Sequence, residues 1–134
     1  MAELWLSTHV ETPDAADAHG QSYTVVTVGG DLDLSSVSVL QEHLVIVLSS
    51  LGPCIALDLR ELTFMDSSGL ALLVRCWKLA SAAGGTLRLV APPPHVVRKL
   101  ATTGLLERLQ VFPGLAEMMD VPLGVEGYHG PSRE

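Results

Sequence analysis

Clustered positive charge is what this sequence has least of. Lysine and arginine number 8 against 15 aspartates and glutamates, for a formal net charge of −7. The bases Arg60, Arg75, Lys78, Arg88, Arg98, Lys99, Arg108 and Arg133 are scattered, and no run forms a patch. Nucleic acids and anionic membranes both demand clustered cations to neutralise phosphate, so neither is expected as a partner. Cysteine is scarce as well. Cys54 and Cys76 stand in apolar surroundings, which fits buried free thiols in a reducing compartment and argues against a disulfide framework. Long apolar runs are missing. "LVIVL" (44–48) and "LALLV" (70–74) fall far short of the ~20 residues that span a bilayer. The first residues show no basic start followed by an apolar stretch, so no signal peptide is expected. A soluble cytoplasmic protein follows as the expectation.

What is present is enough apolar material for one core: 48% of 134 residues, the size of one domain. "ELWLSTHV" (3–10) alternates roughly, as a strand does, and "YTVVTV" (23–28) is β-branched; "GG" at 29–30 ends it. Between them "ETPDAADAHGQS" (11–22) is small, polar and acidic, the composition of a flexible loop. Val37, Leu40, Leu44, Val47, Leu48 and Leu51 recur at helical spacing, with Asp33, Ser35 or Ser36 available as a cap and "GP" (52–53) as a stop. "CIALDL" (54–59) is nearly continuous in apolar character, the pattern of a central strand covered on one face or both. A helix over about 67–83 follows, closed by "AAGG", then a strand "TLRLV" (86–90). A short helix follows "PPP" (92–94), a last strand lies in "LLERLQVF" (105–112), and "PGLAEMM" (113–119) makes a final helical turn or two. Residues 120–134 read as a frayed tail. This order implies an α/β fold, a mixed sheet with helices packed on it.

One stretch carries polar groups that need a reason: Asp66-Ser67-Ser68-Gly69, set between apolar residues. A nucleophile elbow would need Gly-x-Ser-x-Gly, but Met65 and Asp66 stand where the first glycine belongs. None of the five histidines has the motif context of an activating base, so no catalytic residue and no metal or cofactor site is expected. Two roles stay open. Asp66 or Ser67 suits the N-cap of the next helix, where a side-chain oxygen accepts from an orphan backbone N–H. Alternatively Ser67 is a modification site. A phosphate there adds about −1.5 to −2 charges, which the N–H groups and dipole of a helix start tolerate but a partner surface does not.

In context the stretch resembles the signature of STAS domains, and within them the bacterial anti-sigma factor antagonists. "VGGDLDLSS" after a strand, "LDL" in the central strand, "DSSGL" at the next helix start, "GGTLRLV" and "TGLLERLQVF" come in family order. The resemblance is best over residues 23–119, and residues 1–119 form the implied domain with 120–134 outside it. It implies a mixed sheet of four to five strands with about four helices mainly on one side. It also implies a partner, a cytoplasmic serine-kinase anti-sigma factor whose capture frees a sigma factor. The kinase phosphorylates the serine that corresponds to Ser67, binding ends, and a serine phosphatase reverses the mark. Asp33 corresponds to an acid near that serine, and Asp66, Ser68 and Gly69 complete the motif. The alternative is a scaffold or transporter-associated subunit that binds a protein or nucleotide with no switch at Ser67.

On a helical wheel of residues 70–82, Leu70, Leu73, Val74, Trp77 and Ala80 share one face and should be core. Leu72 and Leu79 flank Arg75 on the other side. These three are expected to form a partner-contact strip next to Ser67, unless another helix or the tail covers the leucines.

Overall fold

The computed structural model describes residues 2–12 and 21–121, so the expectations for most of the 11–22 loop and for the tail lie outside the described residues. The first strand, β1 (Trp5–Glu11), pairs antiparallel with β2 (Tyr23–Leu32), in register from Trp5 opposite Gly29 to Glu11 opposite Tyr23. β3 (Cys54–Asp58), β5 (Thr86–Val90) and β6 (Gln110–Phe112) continue the sheet in parallel, giving the order β1-β2-β3-β5-β6. Helices α1 (Val37–Ser50), α2 (Ser67–Ala82) and α3 (Pro94–Thr102) are the intervening elements, since parallel neighbours need crossovers.

A sixth strand exceeds the four to five expected. β4 (Leu62–Met65) pairs parallel with the end of β2. The glycine pair does not end β2, because the strand changes partner there. Its first half pairs with β3 as far as Thr27 opposite Asp58, and after a register shift between Gly30 and Asp31 its second half pairs with β4. Both glycines are needed for that. A Cβ on Gly29 would fall 2.1 Å from the Trp5 ring, and Gly30 has φ +84 with Glu3 backbone packed against it.

Alternation along the strands splits the interior into two cores. Val26, Val28, Ile55, Leu57, Leu87 and Leu89 face α1, α2 and α3; Val25, Cys54, Ala56, Val90 and Phe112 face the short helix α4 (Leu115–Met119) through Met118. β3 is therefore covered on both sides, and of the four α-helices among the described residues three lie on one. Of the expected α1 stripe, Leu40, Leu44 and Val47 are buried, Val37 and Leu48 are partly buried, and Leu51 is exposed beyond the last turn. Ser36 stands at the N-cap without a side-chain cap bond; the Asp33 carbonyl accepts from Ser36 and Val37 N–H instead.

On α2 the buried positions are Gly69, Leu72, Leu73, Cys76 and Ala80, while Leu70, Val74 and Trp77 are half-buried. The buried arc is turned toward Leu72 because α2 packs against α1 as well as the sheet, a second contact that a single-face wheel omits. Cys54 and Cys76 are free and buried. Burial pushes the Cys76 thiol from an ordinary 9.0 up to about 11. An unfolded chain loses this proton near pH 9 while the folded one keeps it, so the stability is intact below that pH and is lost as pH rises toward 11. Urea unfolding at pH 8 and pH 11 should show wild type losing ~2–3 kcal/mol more than Cys76→Ala. Equal losses would show that Cys76 ionises freely in the folded state.

Candidate functional site

The first turn of α2 answers the question left open by the motif. Asp66 has extended backbone (φ −101, ψ −169), and its Oδ1 accepts from Ser68 N–H at 2.9 Å and Gly69 N–H at 3.3 Å. Asp66 is the cap. Ser67 is the first helical residue; its side chain is exposed, and its hydroxyl has no hydrogen-bond partner among the described residues. Gly69 is buried, and a Cβ there would meet Met65 Cγ at 2.6 Å and Leu32 at 3.0 Å. The glycine lets the helix start sit down on the ends of β2 and β4. A backbone bond from Asp66 N–H to the Leu32 carbonyl (3.2 Å) fixes it there.

Asp33 follows Leu32 and is tied to the same strand end. Its Oδ1 accepts from the Ser35 hydroxyl at 2.6 Å and the Ser35 N–H at 3.0 Å. The Ser35 hydroxyl bond is the main reason the Asp33 carboxyl lies below its usual range; burial opposes it, and the Ser35 N–H and the Ser36 donors add to the lowering. Asp33 and Ser67 open on different hollows. Asp33 lines one of about 400 Å³ with Asp31, Ser35 and Ser36. Ser67 lines one of about 460 Å³ with His95, Arg98 and Lys99. Asp31 has no counterpart in the sequence reading; it accepts from Thr63 Oγ1 at 2.6 Å and Ala2 N–H at 3.2 Å, bracing β4 and the N-terminal segment.

The strip proposed along α2 is corrected in two ways. Leu72 is 2% exposed and belongs to the core, so it offers nothing to a partner. Arg75 is exposed but bonded through Nη1 to Gln41 Oε1 on α1 at 2.8 Å, and Leu79 is 47% exposed. Leu79 stands twelve residues beyond Ser67, about 18 Å along the axis at about 1.5 Å per residue, so it is not beside the serine.

His95, Arg98 and Lys99, remote from Ser67 in the chain, sit across a groove from it. Their spacing on α3 was the one signal available. Among the described residues no group of histidine, cysteine or carboxylate side chains could hold a metal ion, and no helix is long and apolar enough to cross a membrane.

A family model described as "STAS domain" matches residues 12–118. An anti-sigma-B factor antagonist of Bacillus subtilis (strain 168) is 31% identical over 86 residues, 64% of this chain and 78% of that protein. An anti-sigma F factor antagonist of Paenibacillus polymyxa is 28% identical over 96 residues, covering 70% of this chain and 81% of the relative. The crystal structure of an anti-sigma factor antagonist from Mycobacterium paratuberculosis superposes with a TM-score of 0.68 at 26% identity, over 87% of this chain and 92% of that one. The match over most of the chain, with the sheet order and the Asp66-capped helix start described above, places this chain in the STAS domain family, alongside relatives named as anti-sigma factor antagonists.

Proposed function

We propose that this protein is an anti-sigma factor antagonist. It binds a serine-kinase anti-sigma factor, so that a sigma factor is released, and it is switched off when that kinase phosphorylates Ser67. A serine phosphatase restores the binding form. The protein acts by binding rather than catalysis, in the cytoplasm. The observation that carries this reading is the division of labour at the start of α2. Asp66 does the capping, which leaves the Ser67 hydroxyl exposed and without a hydrogen bond to any of the described residues. A serine with no structural task can be modified without unfolding the helix. The names of the two relatives support the partner class.

The chemistry is a phosphoryl transfer. The Ser67 oxygen gives up its proton and bonds to the γ-phosphorus of ATP held by the kinase, and ADP leaves. The product carries about −1.5 to −2 charges where a neutral hydroxyl stood. A partner that packs on this surface must then desolvate that charge or let go.

Pull-downs from lysate of the source organism test the reading, with wild type, Ser67→Ala and Ser67→Asp as baits and mass spectrometry as readout. The expected result is a kinase-like protein held by Ser67→Ala and lost by Ser67→Asp, with phosphate on Ser67 in the wild-type protein. Identical partners on all three baits and no phosphate on Ser67 would overturn it in favour of a scaffold or transporter part.

A further inference from the structure

A phosphate on Ser67 meets a local difficulty. A helix start ordinarily receives an anion with free N–H groups, but here the Asp66 carboxylate already accepts from Ser68 and Gly69, and Leu70 N–H bonds the Asp66 carbonyl. Asp66 is also a negative charge one residue away. The first turn of α2 thus offers a phosphate repulsion and few donors, and the compensation has to come from elsewhere.

The opposite wall of the Ser67 groove supplies it. His95, Arg98, Lys99 and Thr102 are spaced i, i+3, i+4 and i+7 along α3, so they form one stripe, and all four line the groove with Ser67 and Leu70. Arg98 is exposed and Lys99 half-buried, and neither has an ion-pair or side-chain hydrogen-bond partner among the described residues. Arg98 and Lys99 are adjacent in the chain, and both line the groove that Ser67 lines. The groove, at about 460 Å³, has room for a phosphate with its hydration, since one water takes up about 30 Å³ of liquid.

We propose that Arg98 and Lys99 receive the phosphate of phosphorylated Ser67, clamping the start of α2 to α3. This rests on the reading of Ser67 as the modified residue. The clamp gives the phosphate charge-assisted hydrogen bonds that Asp66 denies it. It also withdraws the two cations from any partner, so the modified surface differs from the free one on α3 as well as at Ser67.

The test uses protein carrying phosphoserine at position 67 installed during translation, so no kinase is needed. The second ionisation of the phosphate is read by phosphorus NMR in the otherwise wild-type chain, in Arg98→Gln/Lys99→Gln and in Arg98→Lys. The titratable and charged groups facing the phosphate are His95, Arg98 and Lys99 from α3 and Asp66 from its own helix; His95 and Asp66 are kept in every variant. The expected ionisation lies about one unit below the ~6 of free phosphoserine. It returns to ~6 in the double variant and stays low in Arg98→Lys. Equal values in wild type and the double variant, both folded by circular dichroism, would overturn the clamp. Finding no Ser67 phosphate in cells would instead overturn the switch, and the NMR comparison separates the two failures.

Discussion

Ser67→Asp is expected to bind the kinase partner at least ~100-fold more weakly than wild type, and Ser67→Ala to bind within ~3-fold of it. The asymmetry follows from what each change does to the free protein. The Ser67 hydroxyl makes no hydrogen bond among the described residues, and Asp66 keeps the cap in both variants, so both should unfold within ~0.5 kcal/mol of wild type. The difference is therefore confined to the complex. There a carboxylate replaces a neutral hydroxyl on a surface already carrying Asp66, and leaving a buried charge unmatched at an interface costs ~2–5 kcal/mol. Tenfold in affinity is about 1.4 kcal/mol, so a hundredfold loss takes about 2.8 kcal/mol, which lies inside that range. Aspartate is shorter than phosphoserine and carries one charge, which makes this a lower bound for the modified protein. Isothermal titration against the captured kinase decides it. Retention of affinity within ~3-fold by Ser67→Asp would mean that charge at this position does not end binding.

Much of this site was legible from one-dimensional pattern, and the losses have physical causes. The motif located the strand-to-helix junction but could not assign the cap, because Asp66 and Ser67 are both competent oxygens one residue apart. Only the extended backbone of Asp66 separates them. β3 was read as a central strand covered on one face or both, because a run of apolar residues leaves little for a solvent face; the two cores decide for both. β4 was not distinguished as a strand of its own: it has four residues, Thr63 and Phe64 are exposed, and its pairing depends on a bulge in a distant strand. Leu72 was misplaced because its burial is decided by α1, which periodicity within α2 cannot reveal. The same limit hid the cations of α3, whose neighbour Ser67 is remote in the chain. Periods of two and 3.6 show which side of an element is apolar; they do not show what stands opposite.

Arg88 is the sharpest case of that limit, and its removal should be the most damaging single change. In "TLRLV" it occupies a strand position that would ordinarily turn to water, yet it is 0% exposed on the α4 side of the sheet. Its Nε donates to Gln110 Oε1 at 2.5 Å, and its Nη1 donates to the carbonyls of Met118 at 2.9 Å and Val121 at 2.7 Å. The guanidinium carbon lies 5.1 Å from the ring centroids of both Tyr23 and Phe112. Burial lowers its pKa, opposed by Tyr23 and Cys54, but a guanidinium stays protonated throughout the physiological range. The five-residue helix α4 is too short to hold itself, so the cation at its C-terminal carbonyls is what fastens it to the sheet. Arg88→Ala leaves an amide oxygen and two carbonyls without this donor and opens a cavity under Phe112. Each unsatisfied group costs ~1–3 kcal/mol. Allowing for water reaching the exposed end of the site, the loss should be ~3–5 kcal/mol, or about 10–20 °C in Tm. Arg88→Lys keeps a charge but not the planar fork, so it should recover less than half of that. Urea unfolding at constant m measures both. The Ser67 groove lies among α2 and α3 on the opposite face, so the folded fraction of Arg88→Ala should still bind the partner with wild-type affinity. A stability loss under ~1 kcal/mol would mean that α4 is held by its apolar contacts through Met118 rather than by Arg88.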